Sequence, residues 1–404
     1  MSRTLQDERS RGQILVIAVL AMVALIAMIG LIVDGGAAFA QQRVAQNGAD
    51  ATSTAGTVVI AEHLGGTPRT GLQVRTAIDT VAAANGLGNV FAEYTDDFGQ
   101  PIGQVVDPLL PIPANARGVH AAGDRPVGTT FANIIGINNL NASAEATVVA
   151  GALSGECVAD DDGCVLLPVT FPISVSQCDG QGNLINGTNW TVGPPPPGSP
   201  PAPYWPLVDA SALPSATNPT GDLNSMAILP LCRGATTSGS YGWLDLTPGM
   251  NLAQEITGPL NLTVDIPDWF QTQTGNPNSV EGELLAYWRK PVLLPLNRGA
   301  CRIDPGPTVD TCPPGNGGVD PVGNNTWYYV HTLAVFYIEH VYVQGSNTSQ
   351  CASAPGQPQV PITIGGGFLG CLKGWFVNYV TSGPIIPGGQ IIPGQTAIGI
   401  QLIR

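Results

Sequence analysis

The chain has 404 residues, 44% of them apolar, which is enough to bury substantial cores and excludes wholesale disorder. Lys and Arg number 15 against 29 Asp and Glu, and the only two lysines are Lys290 and Lys373; phosphate binding needs clustered cations, so nucleic acid is excluded as a partner. Gly (51) and Pro (36) together exceed a fifth of the chain, which disfavours a helical bundle and favours strands joined by many turns.

The first element is Ile14 to Val33, twenty consecutive apolar residues that span roughly 30 Å as a helix, the thickness of a bilayer core. Thirteen are Leu, Ile or Val, and at about −0.4 kcal/mol each they favour insertion by roughly 5 kcal/mol. Arg3, Arg9 and Arg11 precede the run and no cation follows it until Arg43, so the positive-inside rule predicts a cytoplasmic amino terminus with the bulk of the chain extracytoplasmic. A cleaved leader competes at Ala38-Phe39-Ala40, but an apolar run of this length exceeds the roughly 7–15 residues of a signal peptide, which predicts a retained anchor. A prepilin-type cut after Gly12 is not supported, because the glutamate expected five residues on is replaced by Ile17. Ala18, Ala21, Ala24, Ala27 and Gly30 recur every third position and so spiral round the helix. They read as filler rather than as a packing face.

From Ala37 to about His63 the composition predicts that the helix continues outward as a stalk, with Gly48 a weak point. A second helix is predicted over Gly71–Ala84, with Leu72, Val74, Ala77, Ile78 and Val81 near one face and Asn85-Gly86 as its stop. Asn89 to Val105 reads as a hairpin about Asp96-Asp97-Phe98-Gly99. Arg117 to Gly151 reads as a strand, a short helix carrying Phe131, Ile134 and Ile135, and a returning strand of small residues. The order of RGQ, an apolar span ending in VDGG, QNGADATSTAG, FANIIG and ASAEATVVAG over the first 150 or so residues resembles the TadE/TadG-like proteins of tight-adherence (Flp) pilus assembly. Asp34 and the stretch Gln46 to Gly56 carry the match, with Gly48 where that family more often has alanine. The pieces YGWLDL, KPVLLPL, YYVHTLAVFYIEHVYV and GCLKGWFVNYV also look like the outer domain of its longer members.

Beyond Gly151 strands are predicted at Met226 to Leu231, Tyr241 to Leu246, Trp327 to Val343 and Gly374 to Thr381, and VLLPVTFPISV also reads as β. The tract Pro194 to Pro203 cannot join a central sheet and reads as an extended insertion. All eight cysteines, Cys157, Cys164, Cys178, Cys232, Cys301, Cys312, Cys351 and Cys371, lie beyond the span in no C-x-x-C, which predicts disulfides. Loop length favours Cys157–Cys164, Cys301–Cys312 and Cys351–Cys371, leaving Cys178 for Cys232; closing a loop of about 15 residues contributes roughly 3 kcal/mol in the chain-entropy model. The chain is thus expected to be α+β. Residues 1–62 form a tip, transmembrane helix and stalk, 63–155 a small α/β segment, and 156–404 a β-rich outer domain containing the proline-rich insertion 194–203.

Catalytic chemistry is sought and not found. Ser238-Gly239-Ser240-Tyr241-Gly242 lacks the first glycine of a nucleophile elbow. His331 and His340 are nine residues apart, hence on opposite faces of a single strand, and Glu339 reads as a surface or interstrand partner rather than an acid or base. Asp160 to Asp162 lack the spacing of an EF-hand loop. Asp209-Ala210-Ser211-Ala212-Leu213 departs from the D-x-S-x-S metal motif of the von Willebrand A domain that larger relatives of the resembled family sometimes carry. No P-loop or dinucleotide fingerprint occurs. Trp190 and Trp205, flanking the proline tract, are expected to be exposed, leaving room for an adhesive patch. No catalytic residue, metal, cofactor or small-molecule substrate is therefore expected. The function expected is a single-pass structural component of tight-adherence pilus assembly, with the membrane and other pilus-assembly or envelope proteins as partners. A surface adhesin sharing the anchor is the alternative, and a secreted hydrolase a third reading.

Overall fold

A computed structural model describes residues 4–105, 111–154, 165–173, 176–178, 184–186, 190–191, 205, 207–208, 210–232, 242–247, 249–257, 266–273, 280–302, 326–343, 351, 368–393 and 396–403. The fold is α+β, and the chain divides into two compact units: Met1–Thr57 with Thr70–Val148 and Leu402–Arg404, and Val58–Arg69 with Val149–Gln401.

Helix α1 (Thr4–Leu64) is continuous through the apolar run and the stalk. In the first unit it is followed by α2 (Gly71–Ala84), which starts at a capping box: Gln73 N–H donates to the Thr70 hydroxyl and the Gln73 side chain accepts from Thr70 N–H at 2.9 Å. Val74, Ile78 and Ala82 form its buried face, and Gly86 ends it at φ +65°. Strands β1 (Gly88–Thr95) and β2 (Pro101–Gln104) form the expected hairpin, in which the Asp96 carboxylate accepts from the backbone of Phe98 and Gln100 while Gly99 takes φ +77°. Strand β3 (Gly118–Gly128), a 3-10 turn (Ala132–Ile135) and β4 (Asn139–Leu153) complete a sheet ordered β4-β3-β1-β2. The core under it is built largely from alanine, including Ala45, Ala49, Ala82 and Ala142, so helix and sheet backbones approach closely.

The second unit holds β5 (Phe171–Pro172), β6 (Ser176–Cys178), β7 (Leu184–Asn186), β8 (Trp190–Thr191), β9 (Leu207–Val208), β10 (Ala227–Cys232), α3 (Leu252–Thr257), β11 (Asp268–Gln271), α4 (Glu281–Leu285), β12 (Pro291–Arg302), β13 (Thr326–Val343), β14 (Phe368–Val377), β15 (Val380–Ser382), β16 (Ile385–Ile386) and β17 (Ile398–Ile403). Its spine is β13, 18 residues long, with β12 along one edge and both β11 and β14 along the other, all antiparallel. The order continues β14-β10 outward on one side and β12-β5 on the other. Two apolar clusters sandwich the strand, one holding Phe336, Ile338, Val341 and Val343, the other Tyr328, Val330, Leu333 and Val335. Each such side chain removed from water contributes about 1.5–3 kcal/mol.

Three expectations are corrected here. Of the run Tyr241 to Leu246 the structure describes residues 242–246, in which Trp243 and Leu244 form isolated bridges to Val169 and Thr272 on different segments rather than a propagating strand. In VLLPVTFPISV the described residues, 165–173, likewise contribute the two-residue β5 and isolated bridges at Leu166 and Val169. The run Gly374–Thr381 belongs to two strands, β14 from Phe368 and β15 from Val380, because Asn378 turns away to donate to Glu62 O at 3.1 Å and the Thr67 hydroxyl at 3.2 Å.

Candidate functional site

Every large apolar side chain from Leu15 to Val33 is exposed, and Gly30 is the one buried residue in that stretch. An apolar sheath of this length has no compatible surroundings in water, whereas a bilayer core matches it. Among the described residues it is the single helix long and apolar enough to cross a membrane.

Where the sheath ends, the chain is gripped. The Asp34 carboxylate accepts from Ala132 N–H at 2.6 Å, Thr130 N–H at 2.8 Å and Phe131 N–H at 3.0 Å, satisfying the open amino end of the 3-10 turn. Those bonds, with the Ala132 one foremost, hold the Asp34 carboxyl below its ordinary range. One turn earlier, a Cβ added at Gly30 would lie 2.7 Å from Phe131 Cβ, closer than any real side chain permits. Gly30 is therefore not filler, as its threefold spacing suggests, but the contact that admits Phe131.

Farther along the helix, a polar stripe at four- and seven-residue spacing bonds to sheet backbone. Gln42 donates to Ser143 O, Gln46 to Glu145 O at 2.9 Å, Ser53 to Val119 O and Thr57 to Val148 O at 3.0 Å, while Thr57 Oγ1 accepts from Val119 N–H at 3.1 Å. Ser53 and Thr57 are fully buried, so these bonds satisfy groups that burial would otherwise leave unpaired. Gly48 and Gly56 sit in the same seam, and a Cβ at Gly56 would come within 2.9 Å of both Ile78 and Val119. The stretch Gln46 to Gly56 thus works as one surface, with small residues for approach and hydroxyl and amide groups for backbone partners. An open groove of about 530 Å³ borders it, lined by Gln42, Gln46, Asn89, Asp124 and Glu145 among others.

The remaining candidate residues scatter. Cys351 and Cys371 form a disulfide in the buried core beside Ile228. Cys157, Cys164 and Cys312 lie outside the described residues; Cys178, Cys232 and Cys301 sit on β6, β10 and β12, and strands β6 and β10 pack together. The Asp160–Asp162 run, the proline tract and Ser238–Tyr241 also lie outside the described residues. Trp205 corrects an expectation: it is buried, its ring tilted against Phe376 at 5.8 Å and its indole N–H donated to Pro172 O at 2.9 Å, so it seals a core rather than offering a patch. The Trp190 side chain is outside the described set. Glu339 is buried, and Arg289 binds it through Nε at 3.2 Å and a terminal nitrogen at 2.9 Å, which makes it an ion-pair anchor between β13 and the residues leading into β12. His331 lies beside Tyr329 and His340 beside Tyr342. Among the described residues no group of three His, Cys, Asp or Glu side chains could hold a metal ion.

One acidic pair was not legible in sequence. Glu255, on α3, is almost fully buried and accepts Thr247 N–H at 2.9 Å on one oxygen, with its carboxyl lying against that of Asp245. Burial first, then the Asp245 charge, pushes its carboxyl up to about 7.

No curated protein and no solved structure matches the chain. The segment that forms the apolar helix and most of its polar seam, residues 12–61, matches the family model of Flp pilus-assembly TadE/G-like proteins.

Proposed function

We propose that the protein is a membrane-anchored structural component of Flp-type tight-adherence pilus assembly and works by anchoring and protein contact rather than by catalysis. The observation that carries this reading is the coincidence of the family match over residues 12–61 with the apolar helix and the seam that fixes it to a folded unit. A helix clamped to a sheet by five side-chain to backbone bonds and a carboxylate cap holds the unit at a set height and rotation relative to the span. That is what a fixed platform for other envelope proteins needs. In this reading Arg3, Arg9 and Arg11 lie in the cytoplasm and the chain beyond Asp34 outside. The six cysteines other than Cys351 and Cys371 are also disulfide-bonded, with Cys178–Cys232 supported by the packing of β6 on β10.

Orientation is read by impermeant thiol labelling of intact cells: a cysteine replacing Ser2 stays unlabelled and one replacing Thr67 reacts, whereas equal labelling removes the amino-in assignment. Contact is read by affinity capture of the detergent-solubilised full chain from its own host. Pilus subunits or secretion-platform proteins are expected to be retained above a control carrying another single-pass anchor; recovery of neither would count against the assembly role.

A further inference from the structure

The β3–β4 hairpin follows helix α1 down toward the apolar run. Val119 and Val148 meet Ser53 and Thr57, Glu145 meets Gln46, Ser143 meets Gln42, the backbone of 130–132 meets Asp34, and Phe131 meets Gly30. Gly30 lies three residues inside the end of the apolar run at Val33, which at 1.5 Å per residue is roughly 4.5 Å below its edge. The hairpin tip therefore reaches the level of the hydrocarbon, on the side where the folded unit sits. At that tip Ile134 is 82% exposed and Ile137 45% exposed, although the unit has an apolar core available to it. The tip also carries no charge from Val127 to Ala144, unlike the helix just above it with Arg43 and Asp50. An uncharged tip of exposed isoleucines among asparagines, held at that depth by a glycine contact and a carboxylate clamp, has the chemistry of an interfacial membrane element.

We infer that the 3-10 turn and its flanks, with Ile134 and Ile137 foremost, insert into the acyl and headgroup boundary of the bilayer leaflet nearest the folded unit. This rests on residues 14–33 spanning a membrane and adds a second lipid contact that the span alone does not supply. Its occupant is lipid rather than a second chain because the tip touches the exposed apolar run itself, through Phe131 against Gly30. The tip would set the tilt of the unit, since a rod anchored by one helix can lean whereas one pinned at two points cannot.

The test uses the full chain in vesicles of phosphatidylethanolamine and phosphatidylglycerol, with a photoreactive amino acid placed singly at Ile134, at Ile26 within the span, or at Phe98, the exposed hairpin residue between β1 and β2. Illumination followed by mass spectrometry of the chain should give lipid adducts at Ile134 at least about tenfold above Phe98 and comparable to Ile26. Gly30→Leu, which displaces Phe131, should reduce the adducts at Ile134 several-fold and leave those at Ile26 unchanged. Adducts at Ile26 with none at Ile134, or with adducts to a second copy of the chain there, overturn the inference while leaving the anchor intact. Absence of adducts at Ile26 overturns the anchor and the inference with it.

Discussion

Glu255→Gln should stabilise the second unit by an amount on the order of 2–3 kcal/mol at pH 8 and have little effect at pH 4. The carboxyl is raised from 4.5 to about 7 in the folded protein, chiefly by burial and secondly by Asp245. The folded state therefore holds a proton that the unfolded chain has already released across this window. Below about 4.5 both states are protonated and there is no penalty; between about 4.5 and 7 stability falls as pH rises; above about 7 both states are ionised and the full penalty remains, at about 1.4 kcal/mol per pKa unit. Glutamine is neutral at every pH, keeps the Oε1 that accepts Thr247 N–H, and puts an amide donor beside Asp245 in place of the second carboxyl oxygen. Urea unfolding of the wild type and the variant at pH 4, 6 and 8 reads this directly. Midpoints that separate as pH rises are the expected result; a difference independent of pH would mean that the Glu255 carboxyl has the same pKa in the folded and the unfolded chain.

Much of the first unit is legible in sequence because its signals are local. The length of the apolar run, Asn85-Gly86 as a helix stop and Asp96 with Gly99 as a hairpin turn each depend on a few adjacent residues. The second unit follows different rules. β13 is buried on both faces, so it shows no alternation, and bulges reset its parity twice: the inward series Tyr328 and Val330 resumes at Leu333 and Val335, and Phe336 and Ile338 resume at Val341 and Val343. A strand read as strictly period two would misassign half its side chains. Trp205 follows a proline tract and has the local look of an exposed residue, but its burial is decided by Phe376, which is 171 positions away in sequence. The anchor site was half legible. Asp34 and Gln46 to Gly56 stand out by resemblance, yet that Gln42, Ser53 and Thr57 bond to strand carbonyls, and that Gly30 admits Phe131, depends on elements about a hundred residues downstream.

The largest effect expected is from exchanging residues 1–33 for a cleavable signal peptide in the host strain. Asp34 and the polar stripe lie beyond the exchanged segment, so the clamp to Thr130–Ala132 and the bonds to Ser143, Glu145, Val119 and Val148 remain available to the released chain. Only the sheath and the Gly30 contact are lost. The exported chain should then be folded, recovered in soluble form and protease-resistant, and still unable to support pili, because a component that acts by position cannot act once released. Surface pili counted by electron microscopy, in cells producing equal amounts of the anchored and released forms, measure this claim most directly. Wild-type numbers with the anchored chain and essentially none with the released one are predicted; pili at wild-type numbers from the released chain would contradict it.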